Sequence, residues 1–95
     1  MQRLTATADQ LRELVEREHG GIASLLYVVP VRHVAVDLLW EGCVHVFGLV
    51  DNPKATEAFA WTCPFDGLKH TMLRSERIHG PADAVRATLL ASSQD

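Results

Sequence analysis

Trp40-Glu41-Gly42-Cys43-Val44-His45-Val46-Phe47-Gly48-Leu49-Val50, followed by Asp51-Asn52-Pro53-Lys54 and then Glu57-Ala58-Phe59-Ala60-Trp61-Thr62-Cys63, sets the architecture. Two runs rich in β-branched and aromatic residues flank a turn with proline at its favoured second position, the pattern of an antiparallel hairpin. Downstream, Pro64-Phe65-Asp66-Gly67 is a further turn, so a third run continues the meander to about Ser75. Upstream, Ile22 to Val34 is a strand that can pair with Leu39 to Val50. Either Glu41-Gly42 reverses the chain there, or the reversal lies near Asp37 and Glu41-Gly42 is a bulge within one long strand. The second arrangement is preferred because it lets the whole of both runs pair.

Helices close both ends. Thr7 and Gln10 have capping-box spacing, Leu11, Leu14 and Val15 form one apolar stripe, and Gly20-Gly21 supplies a left-handed stop, which predicts a helix over 8–19. Its charged residues form a solvated face with pairs such as Glu13–Arg17. Gly80-Pro81 places proline at a first helical position, Asp83 lies in the first turn, and Ala82, Val85 and Leu89 share a face, which predicts a second helix over 81–92. The expected fold is therefore α+β, a single domain over residues 1–95: an N-terminal helix, a four-stranded antiparallel meander and a C-terminal helix packed on one face.

Strand residues alternate sides, so turn positions fix neighbours. Centring the first hairpin on Pro53 opposes Cys43 to Cys63, His45 to Trp61 and Phe47 to Phe59. Centring the next between Phe65 and Asp66 sets Trp61 against His70, Phe59 against Met72 and Glu57 against Arg74, the last pair joining opposite charges. One face then carries Cys43, His45, Phe47, Leu49, Phe59, Trp61, Cys63, Leu68, His70 and Met72, and the reverse is apolar but small-sided. With both faces apolar and two short helices to cover them, part of the sheet is expected to meet a second copy in a homodimer.

That aromatic face is the candidate site. His45, Phe47, Phe59, Trp61, His70 and Met72 would line a pocket for a flat apolar or aromatic small molecule, with the imidazoles as orienting polar groups. Cys43 and Cys63 are open to three readings: thiols acting as small hydrophobes, a transient disulfide, or zinc ligands with His45. A four-ligand zinc set with a Cys-x-x-Cys knuckle is missing, so no cofactor is expected. A histidine general base would lack an acid in its row and a nucleophile turn beside it, so binding or interaction is expected over catalysis. Lys54 at a turn apex and His79 before the last helix read as solvated or cap-region residues, and His19 as a charge at a helix end.

Composition narrows the classes. The 95 residues include 12 acidic and 9 basic side chains, a formal net charge of −3, with 47 % apolar and 22 % charged residues. That range is globular, and the negative balance argues against nucleic acid as a partner. Two cysteines and no basic-then-apolar leader fit a reducing cytoplasm. The apolar run Ile22 to Val31 is about half of the roughly 20 residues that a membrane helix needs.

Trp40-Glu41-Gly42-x-Val44-x-Val46-Phe47-x-Leu49, Asn52-Pro53-Lys54-Ala55 and Phe59-Ala60-Trp61 resemble a pattern of small uncharacterised bacterial proteins, W-[DE]-G-x-V-x-V-F-x-L, H-P-K-A and Y-A-W. Val29-Pro30-Val31-Arg32 and the segment Pro81 to Ala87 extend the likeness over about residues 28–90. Asn52 stands for histidine, Phe59 for tyrosine and Cys63 near a histidine position, and one residue fewer precedes Trp40. The resemblance implies a bacterial cytoplasmic origin and a hairpin-centred fold, and no functional residue. The element order is also similar to the double-stranded-RNA-binding fold, but Pro81-Ala82-Asp83 lacks the basic residues that fold places at its last helix.

Overall fold

A computed structural model describes residues 7–35, 38–63 and 67–93. Helix α1 spans Ala8–His19, strands β1 to β4 span Ile22–Ala35, Leu38–Val50, Glu57–Thr62 and Lys69–Leu73, and helix α2 spans Pro81–Ser93. The strands form one antiparallel sheet in the order β1-β2-β3-β4. This is the expected α+β meander between two helices.

The helix signals act as read. Thr7 Oγ1 accepts from the backbone N–H of Gln10 at 3.2 Å while Gln10 Oε1 accepts from the Thr7 N–H at 2.9 Å, closing the capping box. Gly20 and Gly21, at φ +88° and +84°, end α1 in a conformation side chains resist. The ion pairs on its face are Arg12 with Glu16 at 3.1 Å and with Asp9 at 3.9 Å, rather than Glu13 with Arg17. Glu16 also accepts from the Ala23 N–H at 2.8 Å, tying the helix to the first strand.

The long pairing of the first two strands is as expected, and two other details of the sheet differ from expectation. The reversal expected near Asp37 lies outside the described residues, but Ala35 and Leu38 pair on either side of it, so β1 and β2 form one long arm. The bulge falls at Leu26 on β1, between the pairs Leu25↔Phe47 and Tyr27↔Val46, and not at Glu41-Gly42. Gly42 instead makes room for the Trp40 ring, which would sit 3.1 Å from a Cβ at that position.

The second difference is a register shift of one residue between β2 and β3. His45 pairs with Ala60, Val46 with Phe59 and Phe47 with Ala58. The turn is not centred on Pro53: Asp51 takes φ +62°, and Asn52 Oδ1 accepts from the N–H groups of Lys54 and Ala55 at 2.8 and 3.0 Å. This side-chain turn moves the reversal towards the N-terminus, and Leu49 closes it by donating to the Thr56 carbonyl. A one-residue shift exchanges faces, so β2 residues expected beside Phe59 and Trp61 lie on the other side of the sheet.

The β3–β4 register is as expected, with Trp61 opposite His70 and Phe59 opposite Met72. Arg74 reaches Glu57 at 2.9 Å.

Each face now combines large residues with small or slender ones. Phe59 and Trp61 lie with Val44, Val46, Val31 and Trp40 beneath Ala84 and Val85 of α2. Phe47 and Leu49 lie with Ala23, Ala58 and Ala60 beneath Leu11 and Val15 of α1. Both faces are apolar, as read, and α2 covers one of them while α1 covers part of the other. Pairing bulky with small neighbours lets both layers fill without voids.

Candidate functional site

The register distributes the six expected site residues over two faces. Phe59, Trp61, His70 and Met72 belong to the α2 side, and His45 and Phe47 to the α1 side. Phe47, Phe59 and Trp61 are buried core residues. Trp61 and His70 stack across the strands with centroids 5.7 Å apart, and His45 stacks on Phe47 at 6.3 Å. The expected row in which both histidines flank Trp61 does not form.

Cys43 is likewise not opposite Cys63. The observed register, continued, sets Cys43 beside Thr62, and alternation from Phe47 and Trp61 sends the two cysteines to different faces. Both are free thiols, Cys43 exposed and Cys63 buried. Among the described residues, no three His, Cys, Asp or Glu side chains group closely enough to hold a metal ion.

His45 is the one site residue with an unusual electrostatic setting. Its Nδ1 is buried without a hydrogen bond, and desolvation lowers the imidazole pKa from its ordinary value of 6.5. The strand face gives that nitrogen no hydrogen-bond partner, and burial disfavours the charged ring. The neutral form is therefore favoured.

A second polar cluster had no signal in the sequence because its members are distant in the chain. Thr71 on β4 donates its hydroxyl proton to Glu18, and His19 Nε2 lies 2.8 Å from the same oxygen. Thr71 has one proton to give, so the His19 Nε2–H is the donor in that second bond. The chain of bonds fastens the last turn of α1 to β4.

The most extensive unassigned feature is the arm of β1 and β2. Eight of the ten exposed large apolar side chains among the described residues lie on these two strands, the other two being Leu68 and Leu90. At the far end of the arm, α2 covers Val31, Trp40 and Val44 on one side. The opposite side carries Val28, Pro30, Val34, Leu39, Cys43 and His45, of which all but the half-buried His45 are exposed. Arg32 and Glu41 cross this surface 3.9 Å apart, each about two-thirds exposed at 66 % and 67 %.

No described helix is long and apolar enough to cross a membrane. Compared with family models, with curated proteins and with solved structures, the chain matches none.

Proposed function

We propose that this protein is a small homodimeric interaction module of the reducing cytoplasm, related to the bacterial group whose hairpin pattern it resembles. The observation that carries the reading is the concentration of exposed apolar side chains on the β1–β2 arm. Contiguous apolar surface on a soluble domain marks an interaction site, whereas scattered apolar residues need no explanation. A 95-residue domain also buries a modest share of its chain, so a permanent partner surface adds stability that its own core lacks. The two free thiols agree with a reducing compartment.

Sedimentation velocity over a concentration series tests the reading. A species of twice the 10.5 kDa chain mass supports it, and a 10.5 kDa species at every concentration overturns it.

A further inference from the structure

The bare surface of the arm has a symmetry of its own. On the α1 side, beyond the helix, the register stacks four rungs: Val28↔His45, Pro30↔Cys43, Arg32↔Glu41 and Val34↔Leu39. Three rungs are largely apolar and one joins a cation to an anion, so the patch carries no net charge while His45 is neutral. The guanidinium and carboxylate approach only to 3.9 Å and stay mostly in water, which leaves both with unused hydrogen-bonding capacity.

We propose that this patch is a two-fold interface with a second copy of the chain, in which Arg32 meets the partner's Glu41. The proposal rests on the homodimer reading and names its surface. In an isologous contact the same patch faces itself, so residue i meets j while j meets i. A two-fold axis lying in the interface and running along the arm between β1 and β2 does this rung by rung. It sets Val34 over the partner's Leu39, Pro30 over the partner's Cys43 and Val28 over the partner's His45. The same operation brings both charged pairs into register, giving four-membered alternation of sign in place of two separate pairs. Sheets packed face to face are about 10 Å apart, a gap that these side chains fill from both sides.

Edge-to-edge pairing of β1 is the other way for a second copy to bind, and the strand is built against it. Pro30 offers no N–H and the bulge at Leu26 breaks the ladder, two devices that blunt an edge.

Charge exchange between chains tests the arrangement. In Arg32→Glu both positions are acidic, and in Glu41→Arg both are basic, so each variant alone opposes like charges twice across the axis. Each is expected to weaken self-association by about tenfold or more, since like-charge contacts at interfaces cost several times RT. Mixed together, the two variants restore every opposite-charge contact, and native mass spectrometry should show the heterodimer dominating over both homodimers. Exposed positions of this kind leave the fold intact, which circular dichroism checks. In the wild type, reaction of Cys43 with a thiol reagent should slow as protein concentration rises, because the partner's Pro30 covers it, while Cys63 does not change. A wild-type dimer whose variants keep their affinity, or whose mixture is statistical, overturns this surface and leaves the homodimer reading standing. A monomeric wild type overturns both.

Discussion

The side-chain amide of Asn52 donates to the backbone carbonyl of His19 at 2.9 Å, joining the β2–β3 turn to the end of α1. The same amide reaches the Gly20 carbonyl at 3.1 Å, and its oxygen receives the N–H groups of Lys54 and Ala55. One residue therefore shapes the turn that sets the sheet register and satisfies carbonyls that α1 leaves open at its C-terminus.

Asn52→Ala removes all four bonds at once. At a net worth of about 1 kcal/mol for each hydrogen bond, partly replaced by water at this half-buried site, the loss is expected at about 2 kcal/mol. Urea unfolding followed by circular dichroism measures it. Asn52→Asp keeps the acceptor but turns an oxygen towards the two carbonyls, so it should recover only part of the loss.

Gly20 and Gly21 both lie at positive φ, but their surroundings differ. A Cβ at Gly20 meets nothing within 4 Å, whereas at Gly21 it would lie 2.6 Å from the Val50 carbonyl oxygen. Gly20→Ala is expected to cost about 1–2 kcal/mol from backbone strain alone. Gly21→Ala adds a collision with the backbone of β2 and should cost clearly more. The difference between the two midpoints in denaturant reads the steric part directly.

Burial lowers the His45 pKa, so the folded chain binds that proton less readily than the unfolded chain does. Above pH 6.5, the ordinary value, both states are neutral at this ring and its contribution to stability is fully present. As pH falls below that value, the unfolded state gains protons first, and stability declines until the folded-state pKa is passed. His45→Phe should flatten this part of the pH–stability profile. An unchanged slope in the variant would show that another group is responsible.

With Cys43 and Cys63 on different faces, mild oxidation of the native protein should give no intrachain disulfide, because bridging them would require the sheet to open. Peptide mapping under non-reducing conditions checks this. After unfolding in denaturant, the same oxidant should link them.

Much of the fold was legible in local signals. Thr7 and Gln10 fix the start of α1, Gly20 its end and Pro81 the start of α2, since caps and stops act over a few residues and need no tertiary help. The β3–β4 register, with Trp61 opposite His70 and Glu57 beside Arg74, was also readable, because cross-strand charge and turn residues agreed. The candidate site was not legible, and the cause is a single turn. Pro53 marks the turn, but the side-chain bonds of Asn52 and the left-handed Asp51 set its length, and one residue of offset moves His45 away from Trp61.

The sequence by itself determined the number, kind and order of the elements and the apolar character of both sheet faces, because propensity, capping and alternation are properties of near neighbours. Only the tertiary structure decided which side chains share a face and which remain uncovered. Those depend on the register across a loop, on the bulge at Leu26 and on α1 and α2 settling on opposite sides of the sheet, so that the far end of the β1–β2 arm is sheltered by one helix and bare on the other side.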